Sequence, residues 1–141
     1  MADEIDLTPF TKQLEGGLAA GRPAMLATAD KAGNVDIGPK GSIFVFDKDH
    51  LAYLERTHRG HLANLRENPH VAIIYFNRDA EFPNLRFYGT AEIHESGATR
   101  DEIRNRTIPA EVSRDPENKG LGVLIKVDRV ALPPQQPPRP A

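Results

Sequence analysis

The chain has 141 residues, with 18 Lys and Arg against 20 Asp and Glu, a formal net charge of -2 and no cysteine. That length is one domain's worth, and the near-neutral balance gives no global attraction to nucleic acid or to an anionic membrane. The missing thiols exclude disulfides, thiol nucleophiles, iron–sulfur clusters and thiolate zinc sites.

The acidic start MADEIDLTPFTKQLEGG lacks the charged and apolar segments of a secretory signal, and no apolar run is long enough to span a bilayer. The expectation is a cytoplasmic protein with neither membrane nor nucleic acid as partner. The sequon Asn105-Arg106-Thr107 is read as chance in that setting. Ile5, Leu7, Phe10, Leu14 and Leu18 recur near helical spacing, and Thr8-Pro9 suits an N-cap followed by proline in the first turn. This predicts a helix over about 8–20, weakened by Gly16-Gly17 at about 1 kcal/mol per glycine and ended by Gly21.

After Pro23 short β-rich runs alternate with turn residues: AMLATA (24–29), NVDIG (34–38), SIFVF (42–46) and HLAYL (50–54). Their hairpin-length connections predict antiparallel strands with successive strands adjacent. Gly38, Pro39 and Gly41 predict a bulge or bend that exposes backbone amides near Lys40, Gly41 and Ser42. A short helix ending at Pro69 then presents Leu62 and Leu65, and two long strands follow at 70–77 and 85–95. Thr99 and Glu102 have capping-box spacing for a helix over about 99–106, and LGVLIKVDRV (121–130) alternates like a closing strand. The composition predicts a single domain over 1–132 and a flexible proline-rich tail over 133–141. Strands joined in hairpins, with about three short helices, exclude a doubly wound nucleotide fold and favour a mainly β antiparallel barrel with peripheral helices.

The chemistry concentrates in ERTHRGHLANLRENP (55–69). Thr57 is placed to cap the helix that follows, and Arg56, Arg59 and His61 crowd its partly positive end. Cations there are unfavourable unless an anion offsets them, and Gly60 permits close approach of a ligand to the backbone, so the turn has the ingredients of a phosphate site. The alternative is an ordinary surface on which Arg56 and Arg59 pair with Glu55, Glu67 or solvent, and spacing alone leaves both open. His58 and His61 are three apart, but no carboxylate or third histidine joins them at a zinc spacing, so no metal is expected. No G-x-S-x-G elbow, G-x-G-x-x-G or P-loop is present, and Ser42 has no evident partner base.

The run from MLATADKAGNVDIGPKGSIFVF through THRGHLANLRENPHVAIIYF to LRFYGTAEIHESG resembles the pyridoxamine 5'-phosphate oxidase-like FMN-binding split-barrel family over about 23–97. The resemblance implies a six-stranded split barrel that forms a homodimer with two FMN sites at the subunit interface. It puts the FMN phosphate on Thr57, Arg59, Gly60 and His61, where family members often carry lysine in place of His61. It lays Lys40, Gly41, Ser42 and Ile43 along the isoalloxazine ring, sets Glu55 and Arg56 against the ribityl chain or phosphate, and brings Asn84 to the flavin from the other subunit. The function it implies is an FMN-dependent oxidoreductase acting on a small molecule. The alternatives are a deazaflavin-dependent reductase and a flavin- or haem-binding protein without turnover. Family oxidases of vitamin B6 carry a C-terminal Arg-x-His element that the proline-rich end here lacks, so that activity itself is not expected.

Overall fold

The computed structural model describes residues 4–133. The predicted tail, 133–141, lies outside the described residues apart from Pro133. Seven strands form one antiparallel sheet: β1 (Ala24–Ala29), β2 (Val35–Lys40), β3 (Phe44–Val45), β4 (His50–Glu55), β5 (His70–Phe76), β6 (Asn84–His94) and β7 (Leu121–Ala131). Six of them have six residues or more, and β3 adds a two-residue seventh. The order across the sheet is β2-β1-β5-β6-β7-β4-β3, which curls into a split barrel with β2 and β3 at its edges. Successive strands are therefore not always neighbours, contrary to the hairpin expectation: β2 and β3 stand at opposite edges, and β4 pairs with β7 from the far end of the chain.

Alternation fixes which face each strand buries. Ala24, Leu26 and Thr28 of β1 point inward together with Val71, Ile73 and Tyr75 of β5 and Leu85 and Phe87 of β6. Leu51, Tyr53, Val123, Ile125 and Val127 complete this core from the other half of the sheet. Leu7, Phe10 and Leu14 pack into it from the N-terminal segment, with Phe10 edge-on to Phe82 and Phe87 at 4.8 and 5.8 Å between ring centres. That segment is a 3-10 turn over Thr8–Phe10 running into α1 (Thr11–Glu15). It is shorter than predicted because chain reversal begins at Gly16 and Gly17 and ends at Gly21, whose φ is +71°.

The second half of β4 loses alternation because both its faces are covered. The inner face meets the core, while Phe44 and Ala52 pack against Ile103 of α3 (Ala98–Arg106) on the outside. The predicted Thr99–Glu102 capping box does not form: Gly97, at φ +98°, is the N-cap residue, and no side chain caps the helix. Arg100 instead reaches the carbonyls of Asn118 and Gly120, and Arg104 pairs with Asp115 at 2.6 Å, which ties α3 to the loop before β7. The predicted bulge or bend near Lys40, Gly41 and Ser42 takes the form of a turn at Gly41 and Ser42 just after β2, while β1 and β2 themselves stay in register from Ala24↔Lys40 to Ala29↔Val35 without a bulge. The irregularity lies between Tyr88 and Gly89, where an added Cβ on Gly89 would stand 2.1 Å from the Lys126 carbonyl oxygen.

Candidate functional site

The site is assembled where β4 ends and the chain turns into α2 (Gly60–Glu67). Leu62 and Leu65 seat α2 on the barrel, and Asn68-Pro69 ends it, because the residue before proline is driven to extended backbone; Asn68 has φ -146° and ψ 111°.

Glu55, fully buried at the end of β4, organises the turn. One carboxylate oxygen accepts from Lys40 Nζ at 3.0 Å. The other accepts from the Thr57 hydroxyl at 3.0 Å, the Thr57 backbone N–H at 3.1 Å and the His58 backbone N–H at 3.3 Å. Burial pushes the Glu55 carboxyl up, but the Lys40 charge and the hydrogen bonds from Lys40 and Thr57 outweigh it and hold the group below its ordinary value. Lys40 Nζ also lies 5.4 Å from the centre of the Tyr53 ring, whose buried hydroxyl has no hydrogen-bond partner among the described residues and is pushed up by that burial.

These contacts correct the expected capping. Thr57 does not cap α2, because Glu55 takes both its hydroxyl and its backbone N–H; Arg59 is the N-cap residue and supplies no side-chain cap. The chain reaches α2 through His58 at φ +53°, held by its ring Nε2 2.9 Å from the Lys119 carbonyl oxygen. The first-turn N–H groups of α2 therefore lack a capping side chain. Arg59 is exposed and in no ion pair among the described residues. Arg56, expected at the same helix end, turns away: its Nε donates to Glu111 at 2.9 Å.

His61 folds inward onto β1. Its Nδ1 is 2.7 Å from the Thr28 hydroxyl, which also accepts from the Asn64 amide at 3.0 Å. Burial, followed by the Lys40 charge, lowers the His61 pKa against the opposing pull of Asp36 and Glu55. The imidazole is therefore mainly neutral at neutral pH. Its Nε2 faces β2, where it stands 4.0 Å from an Asp36 oxygen and where a Cβ on Gly38 would come within 3.3 Å. His58 and His61 thus bond to different partners rather than converging on a common point.

Gly41 and Ser42 follow β2. The Ser42 hydroxyl bonds to the backbone of Leu54, 3.2 Å from its N–H, and Ile43 is buried in the core. The neighbour of Gly41 that sequence reasoning missed is Glu111, on the four-residue helix α4 (Pro109–Val112). A Cβ on Gly41 would meet a Glu111 carboxylate oxygen at 2.6 Å. A cavity of about 220 Å³ lies here, lined in part by Lys40, Gly41, Arg56, Thr57, Glu111 and Arg114. No local signal marks Glu111, because its partner Arg56 is 55 residues earlier. Of the predicted residues, Lys40, Glu55 and Thr57 are joined by hydrogen bonds, Arg59, Gly60 and His61 follow at the start of α2, and Gly41, Ser42 and Arg56 line the cavity beside Glu111, while Ile43 is buried in the core. Asn84 begins β6, which β1 and β5 separate from β2; it lines a different groove with Phe76, Arg78 and Arg86.

A mainly β antiparallel split barrel with an uncapped basic turn at the mouth defines the class of this protein. The family model described as pyridoxamine 5'-phosphate oxidase matches residues 10–131, and the chain belongs to that family. HupZ of Group A Streptococcus is 30% identical, with a TM-score of 0.67 over 85% of this chain and 90% of that chain. An FMN-binding protein from Syntrophomonas wolfei has the same fold at 17% identity and a TM-score of 0.69, covering 94% of this chain and 90% of that one. An F420 reductase shares it at 18% identity and a TM-score of 0.58, covering 87% and 97%. None of the curated proteins matches the sequence. No helix among the described residues is long and apolar enough to cross a membrane.

Proposed function

We propose that the protein is an FMN-binding oxidoreductase of a small molecule that acts as a homodimer. The observation that carries this reading is the start of α2, where backbone N–H groups without a capping side chain and the unpaired guanidinium of Arg59 stand together with no anion bonded to either among the described residues. A phosphate satisfies both, and Gly60, having no side chain, permits close approach to its backbone once the Asp36 carboxylate moves aside. The donor set fits: Arg59 and the first-turn amides at Gly60 and His61 would hold the phosphate, with Thr57 alongside. Glu55 acts through the turn, fixing Thr57 and His58 so that Arg59 is presented outward. Lys40 to Ile43 would lie along the ring system. There Lys40 brings positive charge, and Gly41, having no side chain, leaves room for a planar ring once Glu111 yields.

Bound flavin supplies hydride transfer at its N5. The chain's own share is to orient the ring, exclude water and offset the negative charge of the reduced form. Support for a second copy comes from the outer face of β2, β1, β5 and β6. Val35 is 82% exposed and Ile37 64%, beside Met25, Ala27, Ile74 and Tyr88. Such an apolar sheet face is characteristic of an interface, and across it Asn84 would reach the partner's flavin.

A deazaflavin coenzyme is the second reading. Its longer charged tail needs cations outside the turn, and Arg78 and Arg86 line a groove of about 1050 Å³ beside Asn84. The test is titration of the purified protein with FMN and with the deazaflavin coenzyme, followed by flavin fluorescence, with sedimentation of the same samples. Saturable FMN binding to a dimer, weakened about tenfold or more in R59A, is expected from loss of a charge-assisted phosphate contact. Absence of FMN binding, or binding to single chains that R59A leaves unchanged, overturns the proposal. Uptake of the deazaflavin alone moves it to the second reading.

A further inference from the structure

Asp36 is the one carboxylate that faces the start of α2 from the strand beneath it. It pairs across the sheet with Thr28, so both side chains lie on the face that α2 covers. One Asp36 oxygen would be 3.0 Å from a Cβ on Gly60 and is 4.0 Å from His61 Nε2. The other accepts from the Ile37 backbone N–H at 2.9 Å. The carboxylate thus stands over the glycine that leaves the phosphate cradle open, and it makes no side-chain hydrogen bond there that would hold it in place.

We propose that Asp36 sets the affinity and selectivity of the cradle: it occupies the space a flavin phosphate would enter, and a phosphorylated ligand must displace it. The inference rests on the phosphate placement proposed above. Two observations and one electrostatic argument carry it. The side chain is 51% exposed and lies on an edge strand, so it can rotate into solvent when an anion arrives. The nearest side chain that could carry a counter-charge, His61 at 4.0 Å, gives it little, because its other nitrogen is bonded to Thr28 and the ring is mainly neutral. A retained carboxylate next to an arriving dianion repels it, and at a half-exposed site this repulsion is reduced but not abolished. The consequence is discrimination by charge. FMN loses affinity through Asp36, whereas riboflavin, which has the same ring and ribityl chain but no phosphate, does not.

The experiment compares FMN and riboflavin binding to the full chain and to D36N and D36S by quenching of flavin fluorescence. Asparagine retains an oxygen for the Ile37 N–H, and serine provides a smaller replacement should the amide disturb the strand. Both variants are expected to bind FMN about tenfold more tightly than the parent chain, with riboflavin affinity unchanged within about twofold. FMN affinity that is unchanged or weaker in both variants, while the parent binds FMN, overturns the role of Asp36 and leaves the cofactor assignment standing. An equal gain for both ligands also overturns it, since the effect is then packing rather than charge. Failure of parent and variants alike to bind FMN overturns this inference together with the reading it rests on.

Discussion

Replacing Glu55 with glutamine tests whether one buried carboxylate organises the turn. The side chain is fully buried, and its two oxygens serve different partners: one faces Lys40, the other the Thr57 hydroxyl and the backbone N–H groups of Thr57 and His58. Glutamine has a single acceptor oxygen. Turned toward Thr57 and His58, where three donors wait, it sets its own NH2 against the Lys40 ammonium, which is only 12% exposed. Loss of one charge-assisted hydrogen bond and of the counter-charge for a mostly buried ammonium costs about 3 kcal/mol. For a chain of this size that lowers the melting temperature by about 10 °C. Urea denaturation at pH 7, with the same m-value in both proteins, measures the difference directly. Pairing E55Q with K40M should recover much of it, because the stranded ammonium is then gone. An unfolding free energy for E55Q within about 0.5 kcal/mol of the parent refutes the reasoning.

The same carboxylate predicts an acid limb. Its folded pKa lies below the unfolded value, so its stabilisation is complete above the ordinary glutamate range and disappears as pH falls through the folded value. As pH drops through and below the ordinary glutamate range, stability should fall more steeply in the parent than in E55Q, and parallel curves would count against it. Gly89→Ala should destabilise the fold by about 3 kcal/mol or more, because the added methyl meets the backbone of Lys126 and Val127, which can yield only by parting β6 from β7. Soluble G89A with an unaltered urea midpoint would contradict the described register at Tyr88 and Gly89.

What the sequence made legible was whatever is encoded locally. β1 lies where alternation of small and apolar residues placed it, and the two long strands at 70–77 and 85–95 deviate by a residue or so at their ends. The basic turn was equally visible as a chemical cluster. Its internal wiring was not, because a threonine two residues from a glutamate reads as a helix cap until burial of Glu55 makes that carboxylate the stronger acceptor. Arg56 counted as a phosphate ligand for the same reason: its partner Glu111 sits on a four-residue helix with no periodicity to betray it. The sheet order escaped as well. Hairpin-length connections imply neighbours, but the pairing of β4 with β7 is decided by the core that Leu51, Tyr53, Val123 and Ile125 share.

That pairing governs how the polypeptide is born. β4 has only the two-residue β3 and the last strand as partners, so half the sheet stays open until synthesis has passed residue 131. The segment from β1 through β6 already holds the β2-β1-β5-β6 ribbon and can zip as it leaves the ribosome. Leu51, Tyr53 and the Glu55 turn must wait, bare, for β7 to arrive. A stop codon shortly before Leu121 therefore leaves a sticky, half-rolled ribbon fit for proteolysis, rather than a smaller working barrel.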